Sequence, residues 1–134
     1  MAEFPNLVVL QTLSKAWGSA GVRLGMAFAA PEIIDYFNRV KYPYNLSAPV
    51  QRYALDMLDR ADEVSRWVAD TLAVRDRFVG QLAALPLMQR VYPSDANFVL
   101  VRVDEATAVY RWLLDEGIVV RNRSSVRLCN DCLR

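Results

Sequence analysis

Histidine is absent from this sequence, and cysteine and lysine are scarce. The 134 residues include two cysteines, Cys129 and Cys132, and nearly all of the 16 basic residues are arginine, with lysine only at Lys15 and Lys41. Without histidine, the chain by itself cannot provide Ser-His-Asp or Cys-His catalysis. It also cannot form a zinc site with histidine ligands. The scarcity of lysine makes each of the two side-chain amines worth examining.

Strong net charge and long apolar runs are also lacking. The net charge is +1, and no apolar run approaches the roughly 20 residues of a membrane span. The first residues, MAEFPN, lack the basic and apolar regions of a signal peptide. We therefore expect a cytoplasmic protein without nucleic-acid or membrane partners. Apolar residues make up 54% and charged residues 23%, a composition typical of a globular fold.

The two cysteines have the spacing C-x-x-C, which admits two interpretations. The pair could be redox-active, or it could be half of a zinc site whose other half is missing. The Asn-Asp between them is typical of a turn rather than of the helix start that carries a thioredoxin-type motif. We favour two incidental cysteines in a reduced compartment and predict no metal site.

The first half of the chain predicts two strands followed by helices. The apolar run at residues 7–10 predicts a buried strand, and residues 23–29 predict a second one. Pro31 fits the first turn of a helix. Ser47 is the predicted N-cap of the next helix. The helical pattern then continues from Val50 to about Leu85.

The second half predicts a break in that long helical region and a small mixed domain. The break falls at residues 58–62, with Asp62 as the cap of the second long helix. Gly117 is the predicted end of a later helix that begins with Asp104-Glu105. Strands are predicted at residues 91–93, 97–103 and 118–120.

Lys15 follows the first predicted strand and lies in a turn of hydroxyl and small residues. Partial burial or a nearby cation lowers the pKa of a lysine and frees its lone pair for nucleophilic catalysis. Arg23, eight positions later, could hold an anion in the same pocket. The alternative is an ordinary solvated lysine at a strand end.

The segment TLSKAWG at residues 12–18, followed by AGVRLG at residues 20–25, resembles the cofactor-lysine segment of fold-type I pyridoxal-phosphate aminotransferases. It is most similar to the histidinol-phosphate aminotransferase branch of that family, and the similarity runs through the whole chain. The resemblance implies that Lys15 binds pyridoxal 5′-phosphate covalently. It also implies that Thr12, Ser14 and Arg23 bind the cofactor phosphate.

A second pair of residues is implicated by the same resemblance. Arg121 follows the apolar run Ile118-Val119-Val120, and Arg134 ends the segment Cys132-Leu133-Arg134. The resemblance implies that Arg121 binds the substrate phosphate and Arg134 binds the α-carboxylate of the amino donor. By composition alone, both could be ordinary surface arginines. Arg123 and Arg127 match no motif of the family.

The resemblance also implies the fold and the domain organisation. We expect an α/β protein in which residues 1–48 form the end of the large cofactor-binding domain. Residues 49–85 would be the long connecting helices, and residues 86–134 most of the small C-terminal α+β domain. Both ends look truncated, so we expect a fragment that is inactive by itself. The complete enzyme is expected to be a homodimer.

The implied reaction exchanges an amino group between L-histidinol phosphate and 2-oxoglutarate, a step of histidine biosynthesis. Two alternatives remain open. The first is another fold-type I enzyme, either an aromatic or aspartate-type aminotransferase or a threonine-phosphate decarboxylase. The second is a non-catalytic α/β interaction module.

Overall fold

Two short strands open the computed structural model, which describes residues 3–134. Strand β1 (Val9–Thr12) pairs antiparallel with β2 (Gly25–Phe28), from Val9 opposite Phe28 to Thr12 opposite Gly25. The prediction of a buried strand at residues 7–10 was wrong in two respects. The strand begins at Val9, and all four of its residues are exposed, Leu10 by 76%. A two-stranded ribbon leaves both faces of β1 uncovered unless another layer packs on it.

Two helices follow, and both begin where the sequence predicted. Helix α1 (Pro31–Val40) has proline in its first turn, and α2 (Ala48–Leu58) begins after Ser47. Proline is suited to this position because its fixed φ matches the helix and its missing N–H would be unpaired there anyway. Ser47 occupies the N-cap position of α2, but its side chain makes no capping hydrogen bond.

Helix α3 (Ala61–Ala83) is the longest element of the described chain. The predicted break lies at the end of α2, but Asp62 is inside the first turn of α3 and is not its cap. An acidic residue there still interacts favourably with the positive end of the helix dipole. Residue contacts divide the chain into two compact units between Val68 and Ala69, within this helix.

The second unit contains an antiparallel sheet in the order β3-β4-β5. Strand β3 spans Met88–Val91, β4 spans Val101–Val103 and β5 spans Cys132–Leu133. The strand predicted at residues 91–93 was therefore placed too late, and the strand predicted at residues 97–103 began too early and was too long. The sheet buries Val101, Val103 and Leu133 on one face, together with Ala106 of α4 (Ala106–Asp115).

Gly117 ends α4 as predicted. Its φ is +78°, a conformation that costs glycine little. Its N–H donates to the carbonyl of Leu114 at 3.0 Å, and the N–H of Ile118 donates to the carbonyl of Leu113 at 2.7 Å. These two bonds form a Schellman motif, which satisfies carbonyl groups that the helix end would leave unpaired.

The strand predicted at residues 118–120 does not form. Pairing begins one residue later, where Arg121 and Arg134 each donate a backbone hydrogen bond of 2.9 Å to the other. Asn122 then lies opposite Leu133, and the N–H of Arg123 donates to the carbonyl of Cys132 at 2.8 Å. Residues 121–123 thus run antiparallel along β5.

The mixed helix-and-sheet fold class predicted from the sequence is confirmed. The domain boundaries at 48/49 and 85/86 remain predictions. In the part of the chain from residue 3 onward, none of the helices has the length and apolar character needed to span a bilayer.

Candidate active site

The hairpin of β1 and β2 carries all four predicted cofactor-binding residues: Thr12 ends β1, and Ser14, Lys15 and Arg23 lie in the loop that follows. The two strands are still paired at the base of the loop, where the N–H of Leu13 donates to the carbonyl of Leu24 at 3.4 Å. Lys15 begins a tight turn: its carbonyl accepts from the N–H of Gly18, whose φ is +60°. The Lys15 side chain is exposed, not partly buried. Within residues 3–134 no carboxylate lies within ion-pair distance of its amine.

Thr12 and Ser14 bring their hydroxyl groups together at the mouth of this loop. The Oγ1 of Thr12 lies 2.8 Å from the Oγ of Ser14 and accepts from the Ser14 N–H at 3.1 Å. Oγ1 also lies 3.2 Å from the carbonyl of Leu24. When Thr12 donates its only proton to Ser14, the hydroxyl proton of Ser14 is free to donate outward. Ser14 is thus oriented as an anion donor, and Thr12 becomes a second one when its hydroxyl proton turns from Ser14 and Leu24 to the anion.

Arg23 lies on the other side of the same loop. A short 3-10 turn, Ala20–Val22, precedes it, and its own φ is +58°, in the left-handed region. The guanidinium donates to the carbonyl of Ala20 at 3.0 Å and has no carboxylate partner among the described residues. This positive charge is therefore uncompensated, and Arg23 immediately precedes Leu24, whose carbonyl lies 3.2 Å from the Thr12 hydroxyl.

Ser19 holds the loop together, and the sequence analysis assigned it no role. It is 3% exposed, and its N–H donates to the carbonyl of Leu13 at 3.0 Å. Its hydroxyl donates to the carbonyl of Trp17 at 2.7 Å and lies 3.1 Å from the hydroxyl of Tyr53 in α2. Serine is too common in loops for its type alone to reveal this role.

The chemistry of these residues fits a phosphorylated carbonyl cofactor. A phosphate group needs several donors and a compensating cation, which the two hydroxyls and Arg23 provide. A carbonyl carbon needs an accessible amine, which Lys15 provides. The loop is also open, since a Cβ added at Gly18 or at Gly21 would meet no atom within 4 Å.

In the second unit, Arg121 and Arg134 lie directly opposite each other. Their two reciprocal backbone bonds make them a hydrogen-bonded antiparallel pair, so their side chains leave the ladder on the same face. The Arg134 guanidinium stacks over the ring of Phe98, 4.8 Å from its centroid. Neither arginine has a carboxylate partner in the described part of the chain. Two uncompensated guanidiniums side by side can bind an anion.

A pocket of about 230 Å³ lies in the same unit but contains none of the predicted site residues. Its lining consists of residues from α3 and from the segment before β4, namely Thr71, Val74, Arg75, Phe78, Asn97, Phe98 and Val99. The Arg75 guanidinium already forms an ion pair with the Asp76 carboxylate at 3.0 Å and donates to the carbonyl of Ala96 at 3.1 Å. The pocket is thus mainly apolar and lacks free charge for an anion.

Both cysteines are free thiols. Cys132 is fully buried in β5, and Cys129 is half-buried. They occupy the ends of a turn in which the N–H of Cys132 donates to the carbonyl of Cys129 at 3.1 Å.

Curated relatives match this chain along its whole length. It is 53% identical over 134 residues to the histidinol-phosphate aminotransferase of Parabacteroides distasonis, covering 100% of this chain and 39% of that protein. It is 48% identical over 132 residues to the enzyme of the same name from Bacteroides thetaiotaomicron, covering 98% and 38%. The chain thus spans about 39% of the length of these relatives.

Solved structures share the fold. The histidinol-phosphate aminotransferase of Clostridium acetobutylicum superposes with a TM-score of 0.86 at 23% identity, covering 98% of this chain and 41% of that one. The L-threonine-O-3-phosphate decarboxylase of Porphyromonas gingivalis gives 0.77 at 23%, covering 96% and 41%. The histidinol-phosphate aminotransferase of Sinorhizobium meliloti, in complex with pyridoxal-5′-phosphate, gives 0.74 at 27%, covering 97% and 36%.

The sequence model of the aminotransferase class I and II family matches residues 1–134. Together with relatives that share about half of its residues, this match shows that the chain belongs to the class I and II aminotransferases.

Proposed function

We propose that this chain is the cofactor-lysine part of a pyridoxal-phosphate-dependent histidinol-phosphate aminotransferase. The complete enzyme would exchange an amino group between L-histidinol phosphate and 2-oxoglutarate in histidine biosynthesis. The observation that carries the proposal is the β1–β2 loop, which combines the unpaired amine of Lys15 with the hydroxyls of Thr12 and Ser14 and the uncompensated charge of Arg23. The names of relatives at 53% and 48% identity support the choice of reaction.

Each residue of the loop has a distinct role in this proposal. When bound, pyridoxal phosphate supplies an electron-accepting ring that stabilises negative charge on the substrate α-carbon. Thr12, Ser14 and Arg23 would bind its phosphate and so fix its position. Lys15 would bind its carbonyl carbon and, once displaced by a substrate, would move a proton to and from the α-carbon as general base and acid.

Arg121 and Arg134 would orient the substrate. Arg121 would bind the phosphate of histidinol phosphate, and Arg134 would bind the α-carboxylate of the amino donor. Both assignments are supported by the antiparallel pairing of the two residues, which directs the two guanidiniums to one face without carboxylate partners. Arginine suits both anions because its fork of donors matches two oxygen atoms at once.

The test is reduction with borohydride in the presence of pyridoxal phosphate, followed by peptide mapping. The chain has two lysines, both exposed, so Lys41 serves as an internal control for unspecific labelling of an accessible amine. We expect labelling at Lys15 and little at Lys41, and loss of the label in Lys15→Ala but not in Lys41→Ala. The experiment is done on this chain and on the complete protein. Equal labelling of the two lysines in the complete protein would refute the proposal.

A substrate panel on the complete protein separates the remaining enzyme reactions. We expect amino transfer from L-histidinol phosphate to 2-oxoglutarate without release of carbon dioxide. Release of carbon dioxide from a threonine phosphate ester would instead identify a decarboxylase. Faster transfer from tyrosine or aspartate than from the phosphate ester would identify another aminotransferase.

We further propose a cytoplasmic location and a homodimer for the complete enzyme. The resemblance to the aminotransferase family supports both, because its members are homodimers that act on small soluble substrates. Sedimentation of the complete protein tests the oligomeric state, and a monomer at micromolar concentration would contradict it.

A further inference from the structure

One face of the β-sheet in the second unit carries a row of arginines. Val101, Val103 and Leu133 point to the core on the opposite face, where α4 lies. Successive side chains of a strand alternate between faces, so Arg134 points away from that core. Asn122 lies on the core side, since its amide reaches the hydroxyl of Thr107 in α4 at 3.4 Å.

Arg121 and Arg123 flank Asn122, so both leave the strand on the same side as Arg134. Arg121 lies opposite Arg134, and Arg123 lies opposite Cys132. Arg121 and Arg123 are two residues apart on a paired strand, about 7 Å between Cα atoms. Side chains as long as arginine can bring their guanidiniums together over that distance.

The side chain of Arg123 is not used elsewhere in the described structure. Neither of the two ion pairs in residues 3–134 involves it, and no side-chain hydrogen bond holds it. Arg123 is half-buried, so part of its surface is covered by the protein. Neighbouring Arg102 differs, because its Nε donates to the carbonyl of Asn130 at 3.2 Å.

The backbone of Arg123 is fixed by the loop that begins there. Its N–H donates to Cys132, and its carbonyl accepts from Val126 at 2.8 Å. The loop continues through two similar turns. In the first, the backbone N–H of Cys129 donates to the carbonyl of Val126 at 3.0 Å, and in the second, the backbone N–H of Cys132 donates to the carbonyl of Cys129 at 3.1 Å. The N–H of Ser124 also donates to the Oδ1 of Asn122 at 2.9 Å. The base of the Arg123 side chain is therefore held in one place beside Arg121.

We propose that Arg123 is a second phosphate-binding residue, which acts with Arg121 and makes this face select a phosphate dianion over a carboxylate. This inference rests on the proposed function, since it deepens the role of Arg121 there. A phosphate monoester carries nearly two negative charges at pH 7 and three acceptor oxygens. One guanidinium fork satisfies two of those oxygens, and a second fork can bind the third and balance the second charge. A carboxylate has two oxygens and one charge, so one fork is sufficient.

The test is a phosphate titration of the chain, followed residue by residue in NMR spectra. Inorganic phosphate is the probe at pH 8, where it is a dianion, and acetate is the carboxylate probe. The variant is Arg123→Gln, and Arg127→Gln is its matched control. Arg127 belongs to the same loop and is exposed, and its substitution removes the same charge. The dissociation constant is read from the amide signals of residues 121–123.

We expect Arg123→Gln to weaken phosphate binding about tenfold or more, the usual effect of losing a hydrogen bond to a charged group. Arg127→Gln should change the dissociation constant of phosphate by less than about twofold, the level expected of long-range charge alone. Arg123→Gln should change the dissociation constant of acetate by equally little. Arg123→Lys retains the charge without the fork and should give an intermediate loss for phosphate. If Arg123→Gln is unfolded in its own NMR spectrum, the lysine variant decides.

Equal losses in Arg123→Gln and Arg127→Gln would overturn the proposal, because they would reflect net charge alone. Equal losses for phosphate and acetate would overturn the claimed selectivity, and absence of saturable phosphate binding at residues 121–123 would overturn the site. The signals of Thr12 and Ser14 report any phosphate bound at the other predicted site. Selective labelling of Lys15 is measured separately, so failure here leaves the aminotransferase proposal standing, and failure there leaves this result interpretable.

Discussion

At the scale of single residues, the predicted cofactor lysine depends on a serine that never touches the cofactor in our proposal. Ser19 is buried and bonds the carbonyl of Trp17 and the hydroxyl of Tyr53, which fixes the loop that carries Lys15. Replacement by alanine leaves the Trp17 carbonyl without its partner. Tyr53 is 41% exposed, so its hydroxyl can bond water instead. We therefore expect Ser19→Ala to lower the free energy of unfolding by about 1 kcal/mol, measured by urea denaturation.

The matched control is Ser125→Ala, at an exposed serine of the second unit, which should change the free energy of unfolding by less than about 0.5 kcal/mol. A second readout separates positioning from stability. Ser19→Ala should lower the ratio of Lys15 to Lys41 labelling by pyridoxal phosphate even in buffer without urea. Tyr53→Phe should lower this ratio less, because it retains the bond to Trp17. An unchanged labelling ratio in Ser19→Ala would show that the serine does not position Lys15.

Sequence reasoning reaches furthest where the candidate residues lie close together in the chain. The four residues predicted to bind the cofactor lie within residues 12–23, so the resemblance of one continuous segment is sufficient to assign them together. Arg121 and Arg134 were also paired by resemblance, and their direct opposition in the ladder is consistent with that pairing. Ser19 and Arg123 could not be assigned in this way. Their roles depend on partners 34 positions away in one case and on strand register in the other.

At the scale of elements, helices were predicted better than strands. Helices α1 and α2 begin as predicted because proline and a preceding small or polar residue act locally. Strands depend on partners that are distant in sequence. The apolar run at residues 118–120 is typical of a strand, yet pairing with β5 begins only at Arg121, after the Schellman motif of α4. The burial of β1 was predicted wrongly for the same reason, since burial requires layers that a local pattern does not specify.

Replacement by alanine should change the free energy of unfolding in opposite directions at two glycines, one that ends a helix and one inside a helix. Gly117 has φ +78°, so Gly117→Ala should lower the free energy of unfolding by about 1 kcal/mol through backbone strain. Gly80 lies inside α3, and a Cβ there meets no atom within 4 Å. Gly80→Ala should therefore raise the free energy of unfolding by about 0.8 kcal/mol, because alanine is the better helix former.

Both glycine variants add the same single methyl group, and neither position has an atom within 4 Å of the added Cβ. Steric contact is therefore matched, and the sign of the change reports backbone conformation alone. Urea denaturation of the two variants and the parent chain provides the measurement. Destabilisation by Gly80→Ala would contradict the placement of Gly80 inside α3, and no effect of Gly117→Ala would contradict the left-handed conformation assigned to the end of α4.

At the scale of the whole molecule, the two sheets should differ in local stability. In the three-stranded sheet, Val103 is fully buried and Val101 is 7% exposed. In the two-stranded ribbon, every residue of β1 is exposed. Strand pairs covered by little apolar surface open more readily, and an isolated two-stranded ribbon is only marginally stable in water. We therefore expect peptides covering residues 7–14 to exchange their amide hydrogens at least about tenfold faster than peptides covering residues 99–104.

Hydrogen exchange followed by mass spectrometry tests this difference and connects it to the proposed function. Thr12 ends β1, so the ribbon that we expect to be least protected also carries the proposed phosphate donors. Pyridoxal phosphate should therefore slow exchange at residues 7–14 and leave residues 99–104 unchanged, since binding stabilises only the state that forms the site. Lys15→Ala is the control, because it keeps the phosphate donors and removes the amine, and it should weaken the slowing. Equal exchange in the two sheets without cofactor would contradict the predicted difference in stability. Slowing by pyridoxal phosphate at residues 99–104 alone would contradict the proposed cofactor site.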